Sequence, residues 1–262
     1  MATVGRPSVK NGLQRDLIFD IGVNHGEDTE FYLAKGFRVV GVEADPVLGA
    51  EILDTFRSAI ASGQLHFENV GLSNRAGSLP FYRNLEWDHW SSFERTLGAR
   101  YASPCEVVIV TCLTILDLLM RHGCPYYMKI DIEGANHVVL NDLAETSFRP
   151  QFISSSELSA EAIEVLFRMG YNMFSLRPQS DKSWAVPPNP ALEGKYVDRT
   201  FTRRDSGLFG LEVRDWMSRE TINRLIGEGG RPVDEWYDIH ATHWPTIVND
   251  RSLRRWSELE RA

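Results

Sequence analysis

Leu17-Ile18-Phe19-Asp20-Ile21-Gly22-Val23-Asn24-His25-Gly26 is a short apolar run that holds a carboxylate near its end and opens into a glycine loop. A helical pattern follows from Glu27 to Lys35, with Phe31, Leu33 and Ala34 apolar and Gly36 as its stop. This is the order of a buried parallel strand, a tight turn and a crossover helix. Ligands of open α/β sheets bind at the carboxyl ends of the strands, so the loop is expected to face a ligand. A second apolar run, Phe37-Arg38-Val39-Val40-Gly41-Val42, ends at Glu43, about twenty residues on, where nucleotide-binding folds place an acid for ribose hydroxyls. Gly22 and Gly26 permit close backbone approach and positive φ. The plainer reading of the loop alone is a strand-to-helix turn with an Asp N-cap; Glu43 tips the balance toward a nucleotide.

The loop also narrows the choice of nucleotide. A dinucleotide fingerprint is G-x-G-x-x-G, because a pyrophosphate rests on the helix N-terminus. Asn24 makes the spacing G-x-x-x-G, with Asp20 two residues ahead of the first glycine. A carboxylate so close would repel a pyrophosphate but can accept hydrogen bonds from an ammonium. S-adenosylmethionine, with an amino acid, a ribose and an adenine but no phosphate, fits that pattern.

Composition sets outer limits. A chain of 262 residues with 43% hydrophobic content can bury a full core as one large domain or two small ones. The formal charge of -8 argues against a nucleic-acid partner. No run of about eighteen apolar residues exists, so no membrane span is expected. Met1 to Asn11 is polar and lacks the apolar core of a signal peptide. Cys105, Cys112 and Cys124 are scattered without C-x-x-C spacing, which suits reduced thiols in a cytoplasmic protein and not zinc.

Working outward, strands and helices alternate. Pro46 to Ile60 reads as the second helix, ended by Gly63, and His66 to Val70 as the third strand. Gly77 to Arg83 and Glu106 to Thr111 read as two extended runs, antiparallel to each other and inserted before the next crossover. Leu113 to Met120 is a predicted helix and Tyr126 to Asp131 a strong strand. Asn136 to Leu143 and Ala160 to Met169 are predicted helices flanking a strand from Phe152 to Leu158, and Tyr171 to Leu176 is another strand. Such alternation implies a parallel-dominated sheet covered on both faces. After Pro178 the composition shifts. Gln179 to Tyr196 holds Pro187, Pro188 and Pro190 and reads as a loop, and Gly207 to Val213 as a last strand. From Ser218 onward, with Trp236, Tyr237, His240, His243, Trp244 and Pro245, a helical extension packed on the sheet is expected, a cap on an acceptor site being the sharper alternative. His240 and His243 have spacing compatible with one helix face, but two residues do not complete a metal site.

Lys129-Ile130-Asp131-Ile132-Glu133-Gly134-Ala135 is the second carrier of chemistry. Charges alternate with Ile at the end of an apolar strand, where burial is costly unless they are paired or functional. A Lys-carboxylate network that merely closes the strand is the plainer reading. Asp131 and Glu133 are two apart, so both face one site if strand geometry persists, as a general base or as ligands of a metal ion such as Mg2+. His137 is the competing base, although an exposed helix residue is the simpler account of it. Trp87-Asp88-His89-Trp90-Ser91-Ser92 places two large aromatics in a polar loop, suited either to plugging the loop or to stacking on the apolar face of a sugar.

The segments FDIGVNHG, VVGVEADP, TCLTILDLL and KIDIEGA, read together, resemble the FkbM family of S-adenosylmethionine-dependent methyltransferases over roughly Asp16 to Leu176. The chain departs from the family in having Asn136 where Glu commonly follows EGA. The resemblance implies that Asp20, Gly22, Asn24 and Gly26 hold the methionine part of the cofactor and that Glu43 accepts from both ribose hydroxyls. It places the adenine near Ala44, Asn69, Val70 and Gly71, and Ser92 near the cofactor or acceptor. It also leaves magnesium at Asp131 and Glu133 open, since similar small-molecule O-methyltransferases hold the metal with such carboxylates. The expected fold is an α/β, Rossmann-like doubly wound sheet of the class I methyltransferase type with an inserted β-hairpin. Residues 1-178 are expected to form the cofactor-binding core, and residues 179-262 an extension that completes the sheet, with a cap on the acceptor site as the alternative role. The expected reaction is O-methylation of a sugar or secondary metabolite, on a small-molecule or glycan acceptor, with a homo-oligomer compatible. An NAD- or nucleotide-sugar-linked enzyme and a noncatalytic cofactor-binding module are the rivals.

Overall fold

The computed structural model describes residues 12–156, 159–227 and 236–243. The polar start at Met1 to Asn11, the expected strand end at Glu157 and Leu158, and Trp244 and Pro245 lie outside the described residues. In chain order the first half holds β1 (Leu13–Ile21), α1 (Glu27–Ala34), β2 (Arg38–Val42), α2 (Pro46–Thr55), α3 (Arg57–Ala61) and β3 (Leu65–Glu68). The insertion follows as β4 (Gly71–Leu72), β5 (Gly77–Asn84), α4 (Arg95–Gly98) and β6 (Cys105–Leu113). Then come α5 (Ile115–His122), β7 (Cys124–Ile130), α6 (Asn136–Ala144), β8 (Phe152–Ser155), α7 (Ala160–Arg168) and β9 (Met173–Pro178). The last elements are β10 (Met217–Ser218), α8 (Arg219–Gly227) and β11 (Tyr237–Thr242).

The large sheet has the order β10-β9-β11-β8-β7-β1-β2-β3, and β3, β2, β1, β7 and β8 run parallel. β11 slots between β8 and β9, antiparallel to both. Leu17, Ile18, Phe19 and Ile21 of β1 are all fully buried, as expected of a strand covered on both faces. One face packs under α5, α6 and α7 through residues such as Val40, Leu118, Leu140 and Ile163. The opposite face packs Ile18, Phe31 and Tyr127 against Phe209 and Trp216. These last two come from residues 179–216, which hold no strand and only one 3-10 turn at Gly210–Glu212 yet cover the sheet as a helix layer would. A fully buried Lys35 Nζ–Glu212 pair at 2.9 Å and a Tyr126 Oη bond to Glu193 at 2.5 Å pin that segment down.

Local chemistry explains the boundaries. Thr114 and Asp117 form a reciprocal capping box that starts α5, and Ser159 caps α7 by accepting from Ala162 N at 3.0 Å. The expected hairpin is present: β5 and β6 pair antiparallel from Gly77↔Cys112 to Asn84↔Cys105, with β4 parallel to β6 in a separate three-stranded sheet.

Four expectations need correction. The single helix from Pro46 to Ile60 breaks at Phe56 (φ -101°, ψ 21°) into α2 and α3. Gly207 to Val213 is not a strand, because Gly207 and Gly210 take φ of 105° and 61° and bend the chain out of extension. His240 lies in β11 and His243 just beyond it, so the two share no helix face. Finally β7 ends at Ile130, so Asp131 and Glu133 leave strand geometry behind.

Candidate active site

The end of β2 and the glycine loop are built around one carboxyl group. Gly22 and Val23 donate to Val42 O at 2.9 and 3.1 Å, folding the loop back over the strand end. Gly22 sits at φ 88°, and a β-carbon there would stand 1.9 Å from the Asp131 carbonyl oxygen, so only glycine passes. Asn24 adopts φ 51°, a conformation Asn tolerates better than most residues. Its N–H donates to Glu43 Oε2 at 2.9 Å, and the Asp45 N–H donates to Glu43 Oε1 at 2.9 Å. Each oxygen keeps a further lone pair. Burial pushes the Glu43 carboxyl up to about 7 despite those two donors. Asn69 spends its amide on the Glu43 and Asp45 carbonyls, at 2.8 and 3.2 Å, and so fixes the strand end rather than offering a donor outward. Ala44 and Val70 are half-buried beside it. Gly71 is buried against Phe93, whose ring a β-carbon would meet at 2.3 Å.

Asp20 stands behind this loop. It is fully buried; its Oδ2 accepts from Thr29 Oγ1 at 2.6 Å and its Oδ1 from Lys129 Nζ at 3.0 Å. Lys129 also bonds Gly22 O at 3.0 Å and reaches Asp28 at 3.3 Å. Burial works against the Lys129 ammonium, but Asp20, Asp28 and Asp131 outweigh it and hold its pKa well above the usual value. The sequence places Asp20 on a ligand ammonium; the geometry makes it the anchor of a lysine that holds the loop.

The turn after β7 separates the two carboxylates that alternation would have paired. Asp131 is exposed at the strand end, its N–H on Ile21 O at 2.8 Å. Glu133 lies in the turn, bound to Arg100 Nη2 at 2.5 Å. Gly134 at φ 78° lets Leu97 and Ser92 close on that turn. Ser92 is buried and donates to Glu133 O at 2.8 Å, tying the insertion to the turn instead of facing a ligand. Asn136 accepts from Ile132 N and donates to Ser156 Oγ, both at 2.9 Å, a two-way role that a carboxylate could not fill. His137 is exposed and lines a groove between α6 and α7. Among the described residues no group of three or more His, Cys, Asp or Glu is placed to hold a metal ion. With Glu133 committed to Arg100, the donor set does not fit magnesium.

The insertion supplies partners the sequence reading missed. Asp88 accepts from His25 Nε2 at 2.8 Å and from Asn24 Nδ2 at 3.5 Å, while Arg83 pairs with buried Asp45 at 2.8 Å. The only signal for Asp88 was the polar loop between Trp87 and Trp90. Those two rings lie 5.6 Å apart, Trp90 lies 5.8 Å from Tyr101, and Trp87 and Tyr101 are exposed, an aromatic edge next to the glycine loop.

No curated protein matches this chain. Solved structures similar to it include the methyltransferase FkbM from Methylobacillus flagellatus KT, at 15% identity and a TM-score of 0.41, matching 63% of this chain. This chain spans only 40% of that one. The precorrin-6y C5,15-methyltransferase from Geobacter metallireducens GS-15 is 12% identical with a TM-score of 0.37, over 89% of this chain and 82% of its own. The [4+2]-cyclase SpnF is 9% identical with a TM-score of 0.37, over 87% and 75% respectively. The methyltransferase FkbM domain model matches residues 20–174, more than half of the sequence. The chain belongs to the FkbM methyltransferase family.

Proposed function

We propose that this chain transfers a methyl group from S-adenosylmethionine to a hydroxyl of a sugar or secondary metabolite. Glu43 carries the cofactor half of that reading: a buried carboxyl at a strand end, fixed by two backbone donors, with lone pairs left for the two hydroxyls of a ribose. Gly22 supports it by letting the loop pack against the Asp131 carbonyl and fold back over the strand ends beside Glu43. Family membership supports methyl transfer as the reaction.

When bound, S-adenosylmethionine supplies an electrophilic methyl group on a positively charged sulfur. The chain's own task is then to bind, align and deprotonate. Glu43 holds the ribose, and the backbone from Gly22 through Asn24 to Gly26 lies along the methionine part. Ala44, Val70 and Gly71 border the adenine, with Asn69 contributing shape, its amide being occupied. Lys129 and Asp20 keep the loop in place from behind. In-line displacement gains much of its rate from alignment, and the exposed edge of Trp87 and Tyr101 offers flat apolar faces for a sugar ring. Asp131, exposed at the end of β7, lies on the acceptor side; Glu133 acts there only through Arg100.

Calorimetry with S-adenosylmethionine and with NAD tests the cofactor, and labelled methyl transfer into a cell extract tests the reaction. Tight NAD binding without S-adenosylmethionine binding ends the reading. Asp131→Asn is expected to keep cofactor affinity while slowing transfer, and Glu133→Gln to slow it less.

A further inference from the structure

One face of the large sheet changes character along its strands. Beneath residues 179–216, Tyr127 gives way to Lys129, Phe152 to Ser154, and Met173 to Ser175 and Arg177, each step nearer the end that carries Gly22 and Glu43. β11 runs the other way, so Thr242, His240 and Asp238 follow the same progression. A buried polar face needs partners. Most of this one has them: Tyr127 Oη meets Ser154 Oγ at 2.6 Å, Ser175 Oγ donates to Arg214 O at 2.7 Å, and Arg177 pairs with Asp215 at 2.9 Å. Two neighbours do not. His240 Nε2 is buried without a hydrogen-bond partner, and no donor among the described residues reaches the carboxyl of Asp238, itself only 4% exposed.

Register puts Asp238 in line with the rest of the site. The pairings Ile21↔Val42, Ile21↔Ile130, Ile130↔Ser155 and Ser155↔Ile239 carry one row across the sheet. The next row outward is Glu43, Gly22, Asp131, Ser156 and Asp238. Asp131 and Asp238 are thus two strand spacings apart, roughly 10 Å between α-carbons. The charged groups around Asp238 are Asp131 and Lys129 from β7 and the turn after it, Asp28 from α1, and Lys182 from the covering segment, with Arg177 opposite on β9. Lys182 is held by Gln179 Oε1 and by Ser206 O at 3.3 Å.

We propose that Asp238 is the general base for the acceptor hydroxyl, with Asp131 orienting the acceptor at the solvent end of the same row. This rests on the methyltransferase reading above. The hydroxyl proton passes to an Asp238 oxygen, the freed oxygen pair forms the bond to the methyl carbon, and the electrons of the broken carbon–sulfur bond stay on sulfur. Burial and Asp131 push the Asp238 carboxyl up to about 8, with Lys182 and Lys129 opposing. Counting Asp238 itself, three carboxylates (Asp28, Asp131 and Asp238) meet three cations (Lys129, Lys182 and Arg177), so no excess positive charge is left for an anionic acceptor and a neutral polyhydroxyl one fits better.

The test uses the full chain, Asp238→Asn, Asp238→Glu and Lys182→Gln. Carbon NMR on labelled aspartate should find a carboxyl titrating near 8 that disappears in Asp238→Asn, while S-adenosylmethionine binding persists in both proteins. Labelled transfer to a panel of neutral monosaccharides and methyl glycosides should fall about 10²–10⁴-fold in Asp238→Asn and recover in part in Asp238→Glu. The acid limb of the wild-type rate profile should move upward in Lys182→Gln, which also serves if Asp238→Asn fails to fold. Transfer by Asp238→Asn at the wild-type rate, or no carboxyl signal near 8 assignable to Asp238, overturns the assignment. Failure of the wild type to bind S-adenosylmethionine instead overturns the functional reading beneath it.

Discussion

The two ends of the large sheet were made by different means. On the β1–β3 side, strand, glycine loop, helix, second strand and Glu43 follow one another within about thirty residues of sequence, braced from further along the chain by Asn69 and Lys129. On the β8–β11 side, β11 enters from the far end of the chain between two strands laid down much earlier, and an irregular segment replaces a helix layer. The first side is stabilised by local backbone bonds, such as Asn24 N and Asp45 N on Glu43. The second depends on pairings between distant segments, such as the ladders of β11 with β8 and β9 and the pair of Arg177 with Asp215. In the proposed reading the first side binds the cofactor and the second, assembled from distant pieces, meets the acceptor.

The largest expected effect comes from the joint between the two sides. Lys129→Met leaves Asp20 and Asp28 buried without their cation and should cost about 3–5 kcal/mol in denaturant melts. Gly22→Ala combines a clash with the Asp131 carbonyl and a positive φ; a loss of roughly 2–4 kcal/mol is expected, together with cofactor binding. A wild-type melt for either variant would separate loop position from the strands behind it.

A smaller effect isolates Glu43. Glu43→Gln should weaken S-adenosylmethionine binding by about 1.5–3 kcal/mol, measured by calorimetry. The sign of its pH dependence follows from burial. A carboxyl held at about 7 in the fold against its usual 4.5 takes a proton more readily folded than unfolded. It therefore costs no stability below about 4.5, a growing amount between there and about 7, and a constant amount above. Glu43→Gln should flatten that fall in thermal melts. Hydroxyl donors on Glu43 favour its ionised form, so wild-type cofactor affinity should rise with pH through about 7. The smallest effect is expected of Arg100→Ala, which frees Glu133: a half-exposed pair contributes about 0.2–1 kcal/mol.

The same contrast explains what could be read from the chain. β1, α1, β2 and Glu43 were legible because apolar runs, glycines and a carboxylate occur in a fixed local order. The hairpin was legible from its two extended runs. β11 was not: Tyr237-Asp238-Ile239-His240-Ala241-Thr242 has strand alternation, yet three of its six residues put polar side chains on a buried face. Asp20 was placed on the right element, but its pairing with Lys129 could not be read locally, since that lysine lies more than a hundred residues away. Glu133 was misread for a related reason, because the end of β7 at Ile130 and the reach of Arg100 are tertiary facts.

The central claim is that the Glu43 end of the sheet binds S-adenosylmethionine. A calorimetric titration of the wild-type chain near pH 8 with S-adenosylmethionine, and separately with NAD, tests it most directly. The account predicts binding of S-adenosylmethionine, weakened roughly 10–150-fold in Glu43→Gln, with little affinity for NAD. Binding of NAD without S-adenosylmethionine, or S-adenosylmethionine binding untouched by Glu43→Gln, would contradict it.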